Sequence, residues 1–328
     1  MAKVAVIQKP PVLLDRAKTI EAALASIDEA ARNGATLLVF PEAYIPGYPT
    51  WIWRLRPGGD MALSGEIHAR QRENAVDLAR GDLQPIQDAA ARHGVTVVIG
   101  MHELDSQFSG TTLFNTVVVI GPDGTLLNRH RKLMPTNPER MVWGMGDASG
   151  LKVVETPAGR VGSLICWESY MPLARYALYA QDIDIYVAPT WDTGESWLAT
   201  MRHIAKEAGC WVIGTATALQ GNDIPADFPE RDKLFTPDEW INDGDAVVVK
   251  PMGAVAAGPL KREKGILYAE IDREAARRAR RSLDVCGHYS RPEITSPVWP
   301  RTTCAGPVGR WNWLRPTLIH MLVSDTIR

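Results

Sequence analysis

Gly162-Ser-Leu-Ile-Cys-Trp-Glu-Ser-Tyr-Met-Pro-Leu173 is the stretch on which the reading of this chain turns. Val161 to Ile165 is a short apolar run, the pattern of a buried strand. It stops on Cys166, and Pro172 then opens a helical pattern that runs to Ala180. A cysteine between a strand end and a helix start sits where backbone N–H groups and the helix dipole favour a thiolate. The carboxyl ends of strands in α/β proteins are also where ligands collect. Cysteine is equally at home as a small buried hydrophobe, so a reactive Cys166 needs partners from elsewhere in the chain.

Working outward, strands and helices alternate. Val4 to Ile7 reads as a first strand, Arg16 to Asn33 as a helix stopped by Gly34, and Thr36 to Phe40 as a second strand followed by Pro41-Glu42-Ala43-Tyr44. Residues 45 to 65, rich in Pro, Gly and Trp, read as an ordered loop with aromatic anchors. Helices are expected over Glu66 to Ala79 and Leu83 to His93, then a strand over Val95 to Ile99 followed by His102-Glu103. Leu113 to Ile120, Gly121-Pro-Asp-Gly124 and Leu126 to His130 make a hairpin. Its second arm runs into the basic residues Arg129 to Lys132, read as a solvated strand end. Beyond the cysteine, Ile183 to Pro189 and Trp211 to Gly214 read as strands flanking a helix from Ser196 to Ala208. Asn222 to Asp243 reads as a surface excursion, Ala246 to Lys250 and Ala254 to Ala257 as a hairpin, Gly265 to Ile271 as a last strand, and Arg273 to Leu283 as a basic helix. The alternation predicts a layered α/β domain with helices covering buried sheet. It assigns 1–285 to a catalytic domain and 286–328 to a Pro- and Trp-rich tail packed on the domain or a neighbouring subunit.

The 328 residues carry 23% charged side chains and a formal net charge of −2, with no global sign of a nucleic-acid or membrane partner. Four scattered cysteines without a C-x-x-C pair fit a reducing compartment. With no signal-peptide pattern and no apolar stretch approaching the roughly 18–20 residues of a membrane span, the expectation is a cytoplasmic protein. No His/Cys/Asp cluster has metal-ligand spacing, and Trp143-Gly-Met-Gly146 lacks the third glycine of a dinucleotide fingerprint, so neither metal nor cofactor is expected.

Three strand ends carry reactive side chains: Glu42, Lys132 and Cys166. A thiolate attacks electrophilic carbon, and its proton needs an acceptor such as a partly buried carboxylate. An ammonium stabilises the negative charge that then builds on the substrate. The protonated carboxyl can afterwards deliver its proton to departing ammonia. Together they describe a metal-free hydrolase for carbon–nitrogen bonds. His130 and His288 are rival bases for Cys166, but Glu42 already fills that role. Cys210 and Cys286 read as packing residues, and Cys304 has no candidate partner.

Phe40-Pro-Glu-Ala-Tyr44, His130-Arg-Lys-Leu-Met-Pro135 and Cys166-Trp-Glu168 resemble, in the same order, the motifs of the nitrilase (carbon–nitrogen hydrolase) superfamily. Glu139-Arg140, Trp143-Gly-Met-Gly-Asp147, Met171-Pro-Leu173 and Gly287-His-Tyr-Ser-Arg-Pro-Glu293 are most similar to its true nitrilase branch. The resemblance covers about residues 3 to 292. It implies a four-layer α-β-β-α sandwich, Cys166 as nucleophile, Glu42 as general base and acid, and Lys132 beside the developing charge. Glu139 matches a second glutamate that supports the lysine and the substrate. The implied reaction turns an organic nitrile into a carboxylic acid and ammonia through a cysteine thioimidate and thioester. The implied assembly is a homo-oligomer of dimers, in some members a spiral.

Tyr48, Trp51, Trp53, Trp143, Ser169, Tyr170 and Trp191 are candidates to line an aromatic pocket for an arylaliphatic or aliphatic nitrile. The small Ser169 is expected to leave room for an aryl group, and the Trp167 backbone N–H to lie near the developing charge. Glu168 either orients the nucleophile loop or caps the following helix. Amidase or cyanide or nitrile hydratase chemistry on the same three residues, and a catalytically silent scaffold, are the rival readings.

Overall fold

Alternation along the strands decides the layering. In β1 (Ala2–Ile7), Val4 and Val6 join one apolar cluster, while Ala5 and Ile7 face another on the opposite side. In β2 (Leu37–Val39), Leu37 and Val39 follow the first pair and Leu38 the second. A strand buried on both faces reads as an unbroken apolar run because successive side chains point to opposite sides of its sheet.

The computed structural model describes residues 1–291, of which 1–290 form one compact unit. The tail expected over 286–328 lies, from 292 onward, outside the described residues. The first sheet also contains β3 (Thr96–Leu104), β4 (Leu113–Ile120), β5 (Leu126–Arg131) and, at the other edge, β13 (Ile266–Ile271), in the order β13-β1-β2-β3-β4-β5. The second is built from β6 (Val154–Thr156), β7 (Gly159–Ser163), β8 (Ile185–Pro189), β9 (Trp211–Thr215), β10 (Ala218–Gln220), β11 (Trp240–Val249) and β12 (Val255–Lys261). Its order is β10-β11-β9-β8-β7-β6, with β12 also paired to β11. Strands β1, β2 and β3 are parallel neighbours, as are β7, β8 and β9.

Val98, Val117 and Val119 of the first sheet meet Val161, Ile185, Val187, Ile213 and Val248 of the second in the central core. Helices α1 (Arg16–Arg32) and α3 (Gln84–His93) cover the outer face of the first sheet through Ala23, Ile27, Ile86 and Ala90. Helices α4 (Pro172–Tyr179) and α5 (Glu195–Ala208) cover the second through Leu178, Trp197, Met201 and Ile204. The layers are therefore helix, sheet, sheet, helix: the α-β-β-α sandwich that the resemblance implies.

Several boundaries differ from the sequence expectation. Helix α2 spans Met61–Glu73 rather than Glu66 to Ala79, because Val76 is drawn into a bridge beside β3, its N–H donating to the His102 carbonyl at 2.8 Å. Strand β3 continues through His102 and Glu103, since β4 pairs with it up to Leu104↔Leu113. The basic strand end is only half solvated. Arg129 and Arg131 point outward onto Glu103, while His130 and Lys132 alternate inward and are buried. The 222–243 excursion is anchored rather than free: Ile224, Phe228 and Phe235 are buried in one cluster with Trp51, and from Trp240 the chain is already β11. That stretch also contains α6 (Arg231–Leu234), and the basic helix α7 is Arg273–Arg280.

Candidate active site

Both sheets deliver residues to one place at the ends of their strands. Glu42 follows β2 in a turn that crosses over β3, with the Ile45 N–H donating to the Gly100 carbonyl at 3.2 Å. Only glycine fits at position 100: a Cβ there would lie 2.6 Å from the Ala43 nitrogen and 2.9 Å from the Glu42 Cα. Lys132 follows β5, and its N–H donates to the Asn115 carbonyl at 2.7 Å, extending the ladder with β4 by one residue. Cys166 follows β7 with φ +53°, a left-handed conformation that costs a non-glycine residue energy and recurs at functional sites.

These three side chains and Glu139 form one buried electrostatic group. The Lys132 ammonium donates to Glu42 Oε1 and to Glu139 Oε2, both at 2.7 Å. Asn115, on β4, donates from Nδ2 to Glu42 Oε1 at 2.7 Å. The other Glu42 oxygen, Oε2, has no hydrogen-bond partner among the described residues, so its lone pairs are open to a proton. Glu139 is fixed by the Thr136 N–H at 2.7 Å and by the Tyr48 hydroxyl at 2.7 Å.

Charge and burial set the protonation states. Burial raises the Glu42 carboxyl, the Lys132 charge lowers it and the Glu139 charge raises it again, leaving it at about 7. A carboxyl near neutrality is suited both to accept and to return a proton. Burial works against the Lys132 ammonium, but the charges of Glu42, Cys166 and Glu139 outweigh it and raise its pKa. Burial and the Glu42 charge push the Cys166 thiol up to about 12, against the opposing pull of Lys132. Burial thus keeps the Cys166 thiol protonated at neutral pH rather than ionised.

Glu168 binds the two strand ends together. Its Oε2 accepts the Ile165 N–H at 2.6 Å, immediately before the cysteine, and its Oε1 accepts the Leu133 N–H at 2.7 Å, immediately after the lysine. His130 Nε2 contacts both oxygens at 3.0 and 3.1 Å. The structure thus favours the loop-orienting reading of Glu168. His130 is engaged by this carboxylate, and His288 lies near the Ser282 carbonyl at 3.5 Å.

A cavity of about 450 Å³ opens above the sulfur, lined by Cys166, Glu139, Thr136 and a ring of aromatic side chains: Tyr48, Trp53, Trp167, Trp191 and Trp240. The Tyr48 and Trp191 rings stack at 4.2 Å with 4° between their planes. Trp167 is held by its Nε1–H donating to Asp192 Oδ2 at 2.8 Å, and its backbone N–H has no acceptor among the described residues.

Four of the expected substrate residues fall outside this lining. Trp143 is a backing residue, edge-on to Tyr48 at 5.8 Å, with its Nε1–H donating to His102 Nδ1 at 3.1 Å. His102 accepts it as a neutral ring, because burial lowers its pKa to about 3. Ser169 is fully buried on the far side of the turn from the cavity, its hydroxyl 3.0 Å from the Tyr186 hydroxyl. The expectation that its small size makes room for an aryl group is corrected by this placement: Trp167 takes the cavity side, and Ser169, two residues on, faces the α4/α5 layer. Trp51 and Tyr170 are likewise outside the lining.

Residues the sequence reading missed are Asn115, Thr190, Asp192 and the Trp240–Asp243 segment. A polar Asn115-Thr116 pair inside the apolar run of β4 was the one available signal. Among the described residues no group of three or more His, Cys, Asp or Glu is arranged to hold a metal ion.

The carbon-nitrogen hydrolase family model matches residues 3–281. An aliphatic nitrilase of Sinorhizobium fredii (strain HH103) is 41% identical over 293 residues, covering 89% of this chain and 93% of that protein. A bifunctional nitrilase/nitrile hydratase, NIT4A, of Lupinus angustifolius is 39% identical over 298 residues, covering 89% and 84%. Among solved structures, a carbon-nitrogen hydrolase from Helicobacter pylori G27 superposes with a TM-score of 0.69 at 21% identity, over 92% of this chain and 98% of that one, a likeness of fold. With its motifs in order and the family model spanning nearly the whole described chain, this protein belongs to the carbon-nitrogen hydrolase family.

Proposed function

We propose that this enzyme is a nitrilase: it hydrolyses an organic nitrile, with two waters, to the carboxylic acid and ammonia. The observation that carries the reading is the buried Glu42–Lys132–Glu139 group beside a cysteine held at positive φ under an aromatic cavity. In this scheme Glu42 Oε2 takes the thiol proton as Cys166 Sγ bonds to the nitrile carbon and the C≡N π pair moves to nitrogen. Lys132 and the Trp167 N–H stabilise that charge until Glu42 hands the nitrogen the thiol's proton, giving a thioimidate. One water adds to it, and Glu42 relays both of that water's protons to the nitrogen as the carbonyl forms and ammonia leaves. A second water hydrolyses the resulting thioester and frees the sulfur.

Tyr48, Trp53, Trp167, Trp191 and Trp240 provide flat apolar walls, which suits an arylaliphatic nitrile over a short aliphatic one. Relatives at 37–41% identity carry nitrilase in their names, which favours this reading over an amidase or cyanide hydratase. Among the described residues no helix is long and apolar enough to cross a membrane. Cys166 and Cys210 are free thiols among the described residues, and we place the enzyme in the cytoplasm, working as a homo-oligomer. Release of acid, amide and ammonia from phenylacetonitrile, mandelonitrile, benzonitrile, a short aliphatic nitrile, cyanide and a matching amide tests the assignment. Acid and ammonia from an organic nitrile support it, whereas turnover confined to the amide or to cyanide overturns it.

A further inference from the structure

We propose that Thr190 is a further catalytic residue, whose hydroxyl hydrogen-bonds the Cys166 sulfur and stabilises it as a thiolate, on attack and again on release. The inference rests on the reading of Cys166 as the nucleophile. Thr190 directly follows β8 and is 1% exposed, its N–H donating to the Thr215 carbonyl on β9 at 2.8 Å. Its Oγ1 lies 3.2 Å from Cys166 Sγ and accepts the Asp192 N–H at 2.8 Å. Those two contacts set the direction of the hydroxyl. A threonine hydroxyl has one proton, and the Asp192 amide only donates, so that proton is directed at the sulfur.

The turn that holds Thr190 is itself fixed. Asp192 Oδ1 accepts the Thr193 N–H at 2.8 Å, and Oδ2 accepts the indole N–H of Trp167, the residue next to the nucleophile, also at 2.8 Å. Thr190 thus keeps its register with the sulfur through a hydrogen bond to the cysteine's own turn.

The sulfur needs such a donor. The charged and titratable groups coupled to it are Glu42 after β2, Lys132 after β5, Glu139, and the hydroxyls of Tyr48 and Tyr170. Lys132 is the one cation in that set, and its ammonium is divided between two carboxylates. Both carboxylate charges oppose a thiolate, so a neutral donor stabilises it without adding charge to a crowded site. During attack the Sγ–H proton passes to Glu42, the sulfur pair bonds to the nitrile carbon, and Thr190 keeps its proton. When water hydrolyses the thioester, the C–S pair returns to sulfur and meets the same hydroxyl.

Losing one such bond raises a thiol pKa by about one unit, which makes the thiolate about tenfold rarer. The remaining thiolate is more nucleophilic, with a Brønsted slope of about 0.4–0.5, so the net loss of rate is about threefold per unit. The test measures alkylation of Cys166 by iodoacetamide across pH, read on its own peptide, alongside steady-state kinetics on the best nitrile. Thr190→Val is expected to lower the alkylation rate about threefold at every pH below the thiol pKa and to lower kcat by about the same factor, with little change in KM. Thr190→Ser is expected to restore both. Should the valine variant not fold by circular dichroism, Thr190→Ala carries the same expectation. A valine or alanine profile that superimposes on the wild type, or a serine variant no better than valine, overturns the proposal. Alkylation requires no nitrile, so a normal profile in a wild-type enzyme silent on every nitrile would count against the nitrilase reading alone.

Discussion

Replacing Glu168 with alanine removes a side chain that joins the cysteine turn to the lysine strand. The carboxylate accepts the buried Ile165 N–H at 2.6 Å and the partly buried Leu133 N–H at 2.7 Å. A buried donor left unsatisfied costs about 1–3 kcal/mol, so the Ile165 N–H alone costs that much before the Leu133 donor or any cavity is counted. For a large chain, at about 2 °C per kcal/mol, that donor alone should lower the melting temperature by roughly 2–6 °C. Activity should fall further than stability. Ile165 and Leu133 flank Cys166 and Lys132, and a displacement of about 1 Å between reacting groups costs on the order of a hundredfold. Glu168→Gln keeps one acceptor oxygen and should fall between wild type and alanine on both scales. Thermal unfolding and kcat, measured on the two variants at a temperature where both are folded, check this. An alanine variant melting within 1 °C of wild type, with kcat within about twofold, would refute the linking role, since the unsatisfied donors alone require more.

Glu139→Gln should move the acidic limb of kcat/KM downward. Burial raises the Glu42 carboxyl and Glu139 raises it further, to about 7. The base must be ionised to take the thiol proton, so activity rises with pH through that value, and removing the second negative charge lowers it; a pH–rate profile with an unmoved or raised limb contradicts the electrostatic account. Gly100→Ala should displace the Glu42 turn, because the new Cβ would meet the Ala43 nitrogen at 2.6 Å; a melting curve and kcat unchanged from wild type would show that the turn yields freely. Ser169→His should lower stability through crowding against Tyr186, 3.0 Å away, and leave the ratio of aryl to short-chain rates unaltered; a changed ratio in the substrate panel would return Ser169 to the pocket.

Glu42, Lys132 and Cys166 were legible because each stands directly after a run that reads as a strand, where a reactive side chain has no packing reason to be. Alternating helices and apolar strands, such as Val4 to Ile7 and Ile183 to Pro189, pointed to a layered α/β domain, and the family resemblance implied the four-layer sandwich. Other site residues carry no such local mark. Thr190 looks like an ordinary strand-end threonine until the fold brings it 3.2 Å from the sulfur. The Trp240–Asp243 segment reaches the cavity through β11, more than seventy residues after Cys166, a contact that no periodicity encodes. Ser169 was misjudged because proximity to Cys166 in sequence says nothing about which side of a 3-10 turn a side chain takes. The basic run at 129–132 was misread as solvated because composition hid the alternation that sends His130 and Lys132 inward.

The central claim is that the carbon of an organic nitrile becomes bonded to Cys166. Hydroxylamine intercepts a thioester and gives a hydroxamic acid, so the most direct measurement is hydroxamate formation from the best nitrile. Wild type would be compared with Cys166→Ala, Cys210→Ala and an enzyme-free control. Hydroxamate formed by wild type and Cys210→Ala but absent from Cys166→Ala is the predicted result. Acid forming at full rate with no hydroxamate, or turnover persisting in Cys166→Ala, would contradict the account.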